Sequence, residues 1–111
     1  MGKIKLREIV EIKDRIVRRE FQELFNIEIE LDFEKSGDEL LGYGELVGRG
    51  YYIDIDRVMR KASVAAIEGG LAHELAHILV DYKRDFIRNF LDQLSYERSK
   101  KYQTNDERKT D

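Results

Sequence analysis

Ile27-Glu28-Ile29-Glu30-Leu31-Asp32-Phe33-Glu34 alternates apolar and acidic residues without a break. A period of two sends Ile27, Ile29, Leu31 and Phe33 to one face and the carboxylates to the other, the pattern of a half-buried strand with an acidic outer face. The residues before it keep a different period. Ile4, Ile9, Val10, Ile12, Ile16, Val17, Phe21, Leu24 and Phe25 recur at spacings of three and four with charges between them. This predicts an amphipathic helix over 4–25 that stops near Asn26 and turns Phe21 and Phe25 inward. The switch from helical to strand period rules out an all-helical chain.

Beyond the strand, Lys35-Ser36-Gly37-Asp38 reads as a turn. Leu40–Val47 and Tyr51–Ile55 read as two more strands, joined around Gly48-Arg49-Gly50 as a hairpin. Gly42, Gly44, Gly48 and Gly50 lack the Lys-Ser/Thr of a phosphate loop and lie within strand pattern. Bulges or the close approach of another backbone explain them better. Helical spacing returns near Val58 and continues through Val64, Ala65, Ile67, Leu71, Leu75, Ile78 and Leu79, with Gly69-Gly70 as an interruption. A further helix is expected between Asp85 and Tyr96, and residues 97–111 are almost wholly polar. The expected fold is α+β: an N-terminal helix, a small three-stranded, mainly antiparallel sheet, then an active-site helix and further C-terminal helices. At 111 residues the whole chain is expected to be a single domain with 97–111 as a polar C-terminal segment.

Composition narrows the function classes. With 41% hydrophobic residues the chain can build one core despite 39% charged residues. Twenty Lys and Arg against 23 Asp and Glu give a net charge of −3, no electrostatic case for nucleic acid or an anionic membrane surface. No stretch approaches the length of a membrane span and no signal pattern opens the chain, so a cytoplasmic location is expected. Cys is absent, which excludes disulfides, thiolate catalysis and Cys-ligated metal.

The chain has two histidines, and both fall in His73-Glu74-Leu75-Ala76-His77. Four residues of helix turn about 400°, so both imidazoles leave one face and can share a metal ion, Zn²⁺ by donor type. Glu74 is turned about 100° from His73, within reach of a metal-bound water without being a ligand, and is the candidate general base. Glu74 is the one ionisable group besides these histidines from Gly69 to Val80, so the helix reads as buried and the imidazoles need partners. A catalytic zinc site takes three protein ligands. With Val80 and Lys83 where an extended motif would place Gly and His, and with no Cys, the third must be a carboxylate. Glu107 is preferred to Glu97, because Asp111 lies four residues after it and can accept a hydrogen bond from the far nitrogen of a ligating His.

His73-Glu74-Leu75-Ala76-His77 followed by Glu107-x-x-x-Asp111 resembles the gluzincin metallopeptidases. The size and the preceding three-strand region resemble the minigluzincins among them. The resemblance implies zinc held by His73, His77 and a Glu, Glu74 as general base, and a peptide or unfolded-protein substrate aligned on a strand beside the cleft. It also implies latency, the C-terminal segment occluding the zinc site within a subunit or, by exchange between copies, in a homo-oligomer. Glutamate spacing like that of thermolysin itself would point to Glu97. Tyr96, Tyr102 and Arg98 are the sequence candidates for an oxyanion donor. The competing reading is a catalytically silent zinc-binding assembly module, against which the presence of Glu74 weighs, since a closed structural site has no use for a base.

Overall fold

A computed structural model describes the backbone of residues 3–34 and 39–110 and the side chains of 3–33 and 39–97. The expected turn at 35–38 lies outside the described residues. The fold is α+β, with helix α1 (Leu6–Glu20), a 3₁₀ turn (Gln22–Leu24), β1 (Glu28–Glu34), β2 (Leu41–Leu46), β3 (Gly50–Asp56), a second 3₁₀ turn (Arg57–Lys61) and α2 (Val64–Thr110).

The first helix is shorter than its periodicity suggests. The Glu8 carboxylate accepts a hydrogen bond from the Lys5 amide (3.1 Å) at its start, and Arg18 and Arg19 complement the dipole at its end. Phe21 then leaves helical geometry (φ −130°, ψ 55°), and the 3₁₀ turn that follows carries Leu24 into the core. Phe25, expected inward, is 62% exposed because that turn rotates it off the stripe.

The sheet order is β1-β3-β2. β2 and β3 pair antiparallel through the hairpin, where Gly48 (φ +75°) occupies a left-handed position that a side chain would strain. β1 pairs parallel to β3, with Leu31 opposite Ile53 and Asp32 opposite Asp54. The sheet is therefore mixed, not mainly antiparallel. The short hairpin commits one edge of β3 to β2, so β1 takes the remaining edge, and there it runs in the direction of β3.

One face of the sheet is buried. Ile29, Leu31, Tyr51, Ile53 and Ile55 share that face by strand alternation, and Ile9, Ile12 and Val17 of α1 join them in the core with Ile67, Leu71, Leu75 and Ile78 of α2. The opposite face keeps Glu28, Glu30, Asp32 and Asp54. Arg49 bridges two of these carboxylates, at 3.2 Å from Glu28 and 2.7 Å from Glu30.

α2 corrects two expectations. It begins at Val64, where Ser63 Oγ accepts a hydrogen bond from the Ala66 amide (3.1 Å), while the residues from Arg57 to Lys61 form the 3₁₀ turn capped by Asp56. It then runs unbroken to Thr110, so the separate helices expected downstream are one element. Gly69 and Gly70 do not interrupt it, and neither Gly nor Pro occurs after Gly70 to stop it. By its internal contacts the chain divides into two compact units, 1–79 and 80–111. Among the described residues no helix is long and apolar enough to cross a membrane.

Candidate metal centre

The first unit holds His73, Glu74 and His77 on the N-terminal part of α2. Leu71, Leu75 and Ile78 are wholly buried and pin this segment to the core, which leaves the histidine face outward. His73 and His77 are both exposed. This reverses the expectation of a buried helix around them: both imidazoles reach the surface, and they meet each other there. The two Nε2 atoms approach to 3.1 Å and the rings meet edge to face, with centroids 4.6 Å apart. Two nitrogens that each bind one zinc at about 2.0–2.1 Å in tetrahedral geometry lie roughly 3.3 Å apart. The separation of the pair is close to that distance, and the neutral imidazole is a donor suited to zinc.

Glu74 lies beside the pair, at the edge of the buried face of the helix. It is 9% exposed, the one charged residue buried among the described residues. Its burial pushes the carboxyl above the usual glutamate range; the neighbouring His73 and His77 pull it back, and Glu39 adds to the rise. A carboxylate moved toward neutrality is a better proton acceptor at working pH than a solvated one.

β2 closes over this part of the helix. Gly70 makes the approach feasible, since a Cβ there would lie 2.9 Å from Cδ1 of Leu41. Two positions further along β2, the Tyr43 ring stacks on His77, with centroids 5.6 Å apart and planes 11° from parallel. Sequence reasoning missed both Tyr43 and Glu39. For Tyr43 the signal was present, because it shares strand parity with the inward Leu41. Glu39 precedes β2, outside any periodic stretch, and carried no such signal.

The carboxylates expected as third ligand are in the second unit. Glu97 is exposed on α2, and the side chains of Glu107 and Asp111 lie outside the described residues. Of the oxyanion candidates, Tyr96 is exposed, and the side chains of Arg98 and Tyr102 lie outside the described residues. Among the described residues no group of three or more His, Cys, Asp or Glu side chains able to hold a metal is assembled.

Comparison with family models, characterised proteins and solved structures finds no match for this chain.

Proposed function

We propose that the protein is a zinc-dependent metallopeptidase of the minigluzincin kind. The observation that carries the reading is the convergence of His73 and His77 Nε2 to 3.1 Å beside a buried Glu74. The imidazoles would hold the ion, and the third ligand would be a carboxylate from the C-terminal segment of a neighbouring copy, Glu107 in preference to Glu97, because within one chain both lie far along the unbroken α2 from His77. Asp111 orients a ligating histidine by accepting its second N–H. Bound zinc supplies a Lewis acid and an acidified water.

The remaining work falls to the protein. Glu74 takes a proton from the attacking water and returns it to the leaving amine, a role suited to a carboxyl already raised by burial. Tyr43 restrains the His77 ring by stacking on it. β2 is an edge strand of the sheet, so an extended peptide can pair with its main chain beside the histidines. Occlusion by the C-terminal segment keeps the resting enzyme latent.

The experiment is casein or peptide cleavage by zinc-loaded wild type and Glu74→Gln, with metal content measured on the same samples. Cleavage by the wild type alone, at equal zinc content, supports the reading. Equal cleavage by both removes Glu74 from the mechanism. Equal zinc content with no cleavage by either, on dilution as well as at high concentration, favours a silent zinc-binding module.

A further inference from the structure

The second unit carries an apolar face for which the metal centre has no use. Phe86, Ile87, Phe90, Leu91 and Leu94 are all exposed on α2, and among the described residues from 86 to 97 none is buried. Val80, Lys83, Ile87, Phe90, Leu94 and Glu97 follow one another at spacings of three and four, the seam of a two-helix coiled coil, with Phe86 and Leu91 beside it. A lone helix with such a seam gains little from its own hydrogen bonds and is stabilised mainly by covering the apolar face.

The charges on the seam choose the occupant. Lys83 and Glu97 stand seven residues before and seven residues after Phe90. Seven residues turn about 700°, close to two full turns, so both remain on the seam. An antiparallel pair of identical helices with its two-fold axis at Phe90 sets Lys83 beside the partner's Glu97 at both ends. A parallel pair sets Lys83 on Lys83 and Glu97 on Glu97, which opposes association. The far side of the helix carries Asp81, Asp85 and Asp92 against Arg84 and Arg88, without the basic excess of a membrane-surface helix. We infer that residues 80–97 of α2 form an antiparallel homodimer seam, centred on Phe90, with a second copy of this chain. The seam uses none of His73, Glu74 or His77, so it is tested on the metal-free protein.

The test is sedimentation equilibrium of the full chain over a wide concentration range, for wild type, Lys83→Glu, Glu97→Lys and the double variant. The seam predicts a concentration-dependent dimer in the wild type. Each single reversal should weaken it several-fold and the double reversal restore it to within about threefold, since two exposed ion pairs are lost and then regained. The chain has no Cys, so a mixture of Lys83→Cys and Glu97→Cys chains should cross-link under mild oxidation far more than either alone. A wild type that is monomeric throughout, including one that instead sediments with phosphatidylcholine–phosphatidylserine vesicles, overturns the proposal. So does a dimer indifferent to the reversals, or Lys83→Cys chains that cross-link with themselves.

Discussion

The ring of Tyr43 lies 11° from parallel with that of His77, at a centroid separation of 5.6 Å. A strand residue thereby restrains one of the two imidazoles that converge on the candidate metal position, so the site is held by the sheet as well as by its own helix.

Removal of this stack should loosen His77 without removing a donor. Tyr43→Ala is expected to weaken zinc binding by up to about tenfold, the scale of one aromatic pair, while Tyr43→Phe stays close to wild type. Competition with a chromogenic chelator measures both. Equal affinities for wild type and Tyr43→Ala would show that the stack does not position the ligand.

The expected carboxylate ligand separates by substitution. Glu107→Ala should weaken zinc more than Glu97→Ala, and Asp111→Ala should cost about ten- to a hundredfold by freeing a ligating imidazole. Zinc titration of the three variants decides the order, and a larger loss in Glu97→Ala would transfer the role to that residue.

Leu75 sits between the histidines in sequence and is wholly buried on the opposite side of the helix. Leu75→Ala is expected to destabilise the fold by about 2–5 kcal/mol, as other truncated core leucines do. Urea unfolding of the metal-free protein measures it. A loss below about 1 kcal/mol would mean that this helix segment is not anchored through the core.

Asp54 faces Asp32 across the parallel pair, and burial first, then the Asp32 charge, raises its carboxyl above the usual aspartate range. A folded-state value above the unfolded one favours folding at low pH and loses that contribution as pH rises through the folded value. Asp54→Asn should therefore unfold at a higher temperature than wild type at neutral pH. The gain should vanish once pH falls below the ordinary aspartate value. Thermal melts at several pH values check this, and a gain that persists in acid would contradict the assignment.

What was legible in the sequence was local. The period of two over Ile27–Glu34, the Gly48-Arg49-Gly50 hairpin and the helical placement of His73 and His77 depend on neighbours a few residues apart, and all stand in the structure. Pairing between distant segments was not legible: no residue of β1 states that its partner is β3 or that the pair runs parallel. The inward helix around the histidines was misjudged because Ala76 and Leu79 look apolar without being buried. The unbroken α2 could have been anticipated from the lack of Gly and Pro after Gly70.

The central claim is that His73 and His77 jointly hold one zinc ion. Isothermal titration of the metal-free protein with zinc tests it most directly, for wild type, His73→Ala and His77→Ala. The account predicts one zinc per chain in the wild type and loss of that binding in each single variant, because one imidazole cannot keep the ion alone. Undiminished binding in both variants, or a wild type that binds no zinc, would contradict it.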